Sequence, residues 1–120
     1  MPSQSAPAIA DLCTALREFA AERDWEQFHA PKNLAIALSI EASELLEHFQ
    51  WIPEARSSVL AADKRANVEE EVADVFLYLI QLADKLGIDL ITAANTKLAV
   101  NALKYPVDKA RGTSRKHTDL

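Results

Sequence analysis

Apolar residues recur at spacings of three and four along most of this chain, and only two glycines interrupt them. Such a pattern folds as long amphipathic helices, because strands need alternation and sheets need more turn residues. The spacing predicts four helices and no strand. Ile9, Leu12, Leu16, Phe19 and Ala20 place the first from about Pro7 to Arg23. Pro7 suits its first turn, where a missing N–H costs nothing. Pro31 stops any helix running through DWEQFHA, residues 24–30, so a second begins near Lys32 and reaches Trp51. Pro53 and the Ser57-Ser58 pair mark the loop after it. Asp63 is the expected N-cap of the third helix and Gly87 its C′ residue. Asp89 then caps a fourth, which ends at Leu103 or Lys104, before Tyr105-Pro106. From Asp108 onward periodicity stops, and an extended or disordered tail is expected. Residues 1–107 thus read as one all-α domain resembling a four-helix bundle, with 108–120 as a basic tail.

Charge and cysteine content remove several function classes. The formal net charge is −5, so no basic face dominates and duplex nucleic acid is excluded as a partner. A small phosphate ligand is not excluded, since a metal inverts the local sign. Cys13 is the single cysteine and cannot pair within the chain. Met1 to Ala8 lacks the basic start and apolar run of a secretory signal, and no stretch has the length to span a bilayer. The expectation is a soluble cytoplasmic protein.

The acids sit in the wrong place for solvated side chains. On the second helix Leu34, Leu38, Glu41 and Leu45 share one stripe, with Ala37 and Glu44 beside it. Burying an unpaired carboxylate there costs several kcal/mol, so something must compensate. The third helix repeats the pattern: Glu71, Asp74, Val75, Tyr78 and Leu82 share one side. Val68, Val72, Leu79, Ala83 and Leu86 are its expected core face. Glu41-x-x-Glu44 and Glu71-x-x-Asp74 each project two acids side by side. Packing the two helices together gathers four carboxylates, and four anions need a cation. All-oxygen ligands select a hard ion, Mg²⁺ first and Mn²⁺ second. A di-iron centre needs Glu-x-x-His on two helices. Only Glu26-x-x-His29 has that spacing, and it lies in the segment cut off by Pro31.

Cations and rings complete a candidate site. Lys97 and Asn101 share a side of the fourth helix, where a lysine either pairs with an acid or binds phosphate as a point charge. The five cations Lys104, Lys109, Arg111, Arg115 and Lys116 face only Asp108 and Asp119, which leaves the tail locally positive. Trp25, Phe28, His29 and Trp51 cluster near the ends of the second helix, where an open ring face stacks on a base. Tyr78, one turn after Asp74, points the same way.

These residues resemble a known family. ExxE, a spacer and ExxD on successive helices is the metal signature of the MazG-like, all-α NTP pyrophosphatases. The vertebrate members are also similar in RDWEQFHAPKNLAIALSIEASELLEHFQW from Arg23, EEVADVFLYLIQLA from Glu70, KLAVNALKYP from Lys97 and SRKHTDL from Ser114. The resemblance runs over roughly residues 16–120. It implies that Glu41, Glu44, Glu71 and Asp74 bind Mg²⁺. It further implies that Trp25, Glu26, Gln27, Phe28, His29, Trp51 and Tyr78 hold the nucleotide, and that Lys97 and Asn101 face its phosphates and sugar. Leu16 stands where the vertebrate members carry a substrate-contacting histidine. The family assembles as dimers or tetramers. A second helix that is apolar almost all round, in so short a chain, independently suggests a homo-oligomer.

The reaction expected is NTP + H₂O → NMP + PPi, with dCTP or a 5-substituted dCTP as substrate and Glu41 or Glu44 as the base. Two other readings of the residues stand beside it: a broader NTP or dUTP pyrophosphatase, and a non-catalytic helical dimer that binds a nucleotide or protein.

Overall fold

Helices α1 (Ser5–Glu22), α2 (Pro31–Glu47), α3 (Ala62–Leu86), α4 (Leu90–Lys104) and α5 (Val107–Ala110) carry the fold of the computed structural model, which describes residues 5–120. Short 3₁₀ turns stand at Glu26–Phe28, Glu54–Arg56 and His117–Asp119, and there is no strand among the described residues. Among the described residues no helix is long and apolar enough to cross a membrane. The chain divides into two compact units, the first ending at Gly87 and the second Ile88–Leu120.

In the first unit α3 packs against both α2 and α1. Leu34 is 1% exposed, and Ala20, Ile80 and Ala83 are also buried. Leu38 and Leu45 are half-buried, as the stripe through Glu41 requires. The expected core face of α3 needs correction: Ala83 is buried, but Val72, Leu79 and Leu86 are exposed, and Ile80 takes their place. The reason is that α3 has two helical neighbours, so its contact face is the one between them. Its second apolar stripe is left outside. Arg17 on α1 and Asp84 on α3 form a two-pronged ion pair, with Nε donating to Oδ2 at 2.9 Å. The guanidinium holds the Asp84 carboxyl below its usual range.

Helix ends follow local chemistry, with three corrections. Pro31 is the first residue of α2 and does more than end the preceding segment, because its fixed φ suits a helix start. That helix ends at Glu47 and not at Trp51, since His48 to Trp51 form consecutive turns. Ala61, not Asp63, precedes α3, and no side chain caps it. Asp63 instead lies in the first turn, where the helix dipole favours an acid. Gly87 is left-handed at φ 66° and closes α3, as expected.

In the second unit the Asp89 side chain accepts from Thr92 N at 3.0 Å and caps α4. The tail is more ordered than its aperiodic sequence suggests. Pro106 introduces α5, and Tyr105 meets the His117 ring edge-on with centroids 5.7 Å apart.

Leu34 is the most completely buried large side chain of the first unit, so Leu34→Ala should destabilise the fold by roughly 2–5 kcal/mol. Denaturant unfolding with an unchanged slope would report this.

Candidate active site

Packing of α2 on α3 brings three of the four acids together. Glu41, Glu44 and Glu71 each offer a carboxylate oxygen, and these oxygens all lie within 4.8 Å of one another. Oε2 of Glu41 and Oε2 of Glu71 are buried without a hydrogen-bond partner. No described ion pair reaches these acids: the pairs present are Arg17–Asp84, Arg23–Glu22 and Arg65–Glu69. The serines beside them are occupied locally, with Ser39 Oγ donating to Ile36 O at 2.7 Å and Ser43 Oγ to Ser39 O at 2.9 Å. Orphaned, converging oxygens are the donor set of a hard divalent cation. Burial pushes the Glu41 carboxyl up to about 7, helped by the crowding of the Glu44 and Glu71 carboxylates and by the nearby charges of Glu44 and Asp74. Asp74 is therefore close enough to act on Glu41, although it stands outside the tight trio.

Asp74 faces a cavity of about 400 Å³ between α1 and α3. Trp25, His29 and Tyr78 line it, with Leu12, Leu16 and Phe19 from α1. The turn after α1 explains how Trp25 arrives there. Asp24 takes a left-handed φ of 55°, a conformation Asp tolerates, and Trp25 N donates back to Ala20 O at 2.9 Å. The ring then meets Phe19 edge-on at 5.8 Å. Gln27 Nε2 donates to Asp24 O at 2.9 Å and Asn33 Nδ2 to Phe28 O at 3.1 Å, which joins the turn to α2.

Of the residues singled out in the sequence, the structure thus gathers Glu41, Glu44 and Glu71 in one cluster, and Asp74, Trp25, His29 and Tyr78 around one cavity. Others stand elsewhere. Glu26 lines a small crevice with Cys13, Arg17 and Asp84, while Gln27 serves the turn. Phe28 is exposed, and Trp51 is 86% exposed. Lys97 and Asn101 stand on α4, in the second unit. Leu12, Ala15, Phe19, Leu77 and Gln81 line the cavity without having been singled out as site residues. Their helical spacing reads as ordinary core, and only the gap between α1 and α3 makes them a wall.

Fold and site define an all-helical protein with an inward acidic cluster suited to a metal ion, beside an aromatic cavity. The MazG-like family model matches residues 36–120. The chain is 44% identical over 118 residues to dCTP pyrophosphatase 1 of Bos taurus, covering 97% of this chain and 70% of that protein. To dCTP pyrophosphatase 1 of Homo sapiens it is 43% identical over 116 residues, covering 95% and 68%. A crystal structure of a pyrophosphatase from Archaeoglobus fulgidus superposes with a TM-score of 0.78 at 42% identity, covering 82% of this chain and 93% of that one. The chain belongs to the MazG-like family.

The raised Glu41 carboxyl makes a prediction about pH. A folded state that holds a proton more tightly than the unfolded chain loses stability as pH rises between the two values. The metal-free protein should therefore weaken from about pH 4.5 to about 7, the interval between the ordinary and raised Glu41 values. Tm measured across this range in EDTA should fall, and Glu41→Gln should flatten the slope.

Proposed function

We propose that this protein is a Mg²⁺-dependent nucleoside triphosphate diphosphatase that converts dCTP, or a 5-substituted dCTP, to dCMP and pyrophosphate. One observation carries the reading: Glu41, Glu44 and Glu71 offer carboxylate oxygens within 4.8 Å of one another, Glu41 and Glu71 each keep a buried oxygen without a partner, and Asp74 lines an aromatic cavity. The relatives' names and the pyrophosphatase fold support the enzyme class, and the dCTP pyrophosphatase 1 relatives support the substrate.

Glu41, Glu44, Glu71 and Asp74 would hold the cation, whose chemistry is to neutralise the triphosphate and favour in-line attack by water. The protein's own part is positional. A carboxylate of the cluster, Glu41 or Glu44, accepts the proton of the attacking water. Trp25, His29 and Tyr78 receive the nucleoside, with the Trp25 ring available for stacking. Residues 1–107 carry this activity, and the tail from Asp108 is accessory.

The same reading has the chain acting as a homodimer or homotetramer. Ile36 and Ile40 on α2 and Val72 and Phe76 on α3 are exposed at 48%, 51%, 50% and 39%. Leu60, Val68, Val72 and Phe76 line an open apolar groove. Surfaces of this kind mark interfaces.

Glu41→Gln and Asp74→Asn should each reduce pyrophosphate release from dCTP to background with helical content unchanged. Near wild-type turnover at ordinary Mg²⁺ would overturn the metal assignment. Light scattering should give the mass of two or four chains, and Phe76→Asp should shift it towards one.

A further inference from the structure

We propose that Gln81 reads the exocyclic amino group of the nucleobase, so that the cavity favours an aminopyrimidine over its oxo counterpart; this rests on the function proposed above. Asp74, Tyr78 and Gln81 follow one another on α3 at spacings of four and three, and all line the same cavity. Seven residues span about 10 Å along a helix, which is comparable to the reach from a nucleotide's innermost phosphate to the far edge of its base. With the acidic end of the stripe at Asp74, the base edge falls at Gln81.

The amide is oriented for this task. Gln81 Nε2 donates to the Leu77 carbonyl at 3.4 Å, a long and weak bond that turns the amide nitrogen toward its own helix. A carbonyl only accepts, so the nitrogen of the amide must face it. Oε1 is left as an acceptor, and it takes no hydrogen bond among those of the described residues. Around it the wall is largely apolar, with Leu12, Leu16 and Leu77 on the lining. An N–H of the base satisfies that oxygen. A carbonyl in the same place sets acceptor against acceptor, and a site built to hydrogen-bond rejects the analogue that cannot. Cytosine offers an amino group at the position where uracil offers an oxygen.

Binding of dCMP and dUMP to the metal-free protein, by titration calorimetry, tests this without turnover. Wild type should bind dCMP roughly ten-fold more tightly than dUMP, the upper end of what one hydrogen bond contributes. Gln81→Leu should bring the two within about two-fold by weakening dCMP, whereas a purely structural role weakens both alike. Gln81→Glu keeps an acceptor and should keep the preference. If Gln81→Leu unfolds by circular dichroism, Gln81→Met carries the same expectation. An unchanged preference in the folded apolar variant, with wild type still hydrolysing dCTP, overturns the role of Gln81 alone. Failure of wild type to hydrolyse any nucleoside triphosphate overturns the hydrolase reading, and this inference with it.

Discussion

The contact of α2 with α3 is the constraint on which the rest depends. It buries Leu34, yet the same contact presses Glu41 and Glu71 together with two oxygens unpartnered. Hydrophobic burial and carboxylate repulsion therefore act in opposition along one interface. Burial of Leu34 favours the contact by about 1.5–3 kcal/mol, while each buried, unsatisfied oxygen opposes it by about 1–3 kcal/mol. A proton on Glu41 relieves part of the conflict, and a divalent cation held there would relieve more. Cation binding at the proposed site would then couple to fold stability through the same side chains.

The adjoining face of α3 has a different task. Packing against α1 leaves a gap large enough for a small molecule, and the Asp24 turn swings Trp25 into it. The Arg17–Asp84 pair ties the same two helices together at one point. Holding α1 by an ion pair outside the cavity keeps the wall of Leu12, Leu16 and Phe19 in place without filling the space between the helices. Tyr78 and Gln81 then line the cavity from the α3 side.

The thin core of the first unit follows from this arrangement. Among the described residues only Ala20, Leu34, Ile80 and Ala83 are buried, because α2 and α3 each carry two apolar stripes and an isolated chain covers one. A periodicity count registers both stripes but cannot say which of them meets a neighbour. That is why Val72, Leu79 and Leu86 have the spacing of core residues yet stand outside it, while Ile80 lies within.

What the sequence determined by itself was whatever depends on neighbours a few residues apart. The left-handed stop at Gly87, the Asp89 cap and the two acidic pairs were legible because capping and helical spacing are local. The number and approximate length of the long helices were legible for the same reason. The tertiary structure alone decided which acids converge, since Asp74 shares a helix face with Glu71 but opens onto the cavity instead of the trio. It also decided that Leu16 and Gln81 form a wall and that Trp51 points to solvent. Distances between helices depend on the packing of whole side-chain surfaces, and no short window of sequence contains both surfaces.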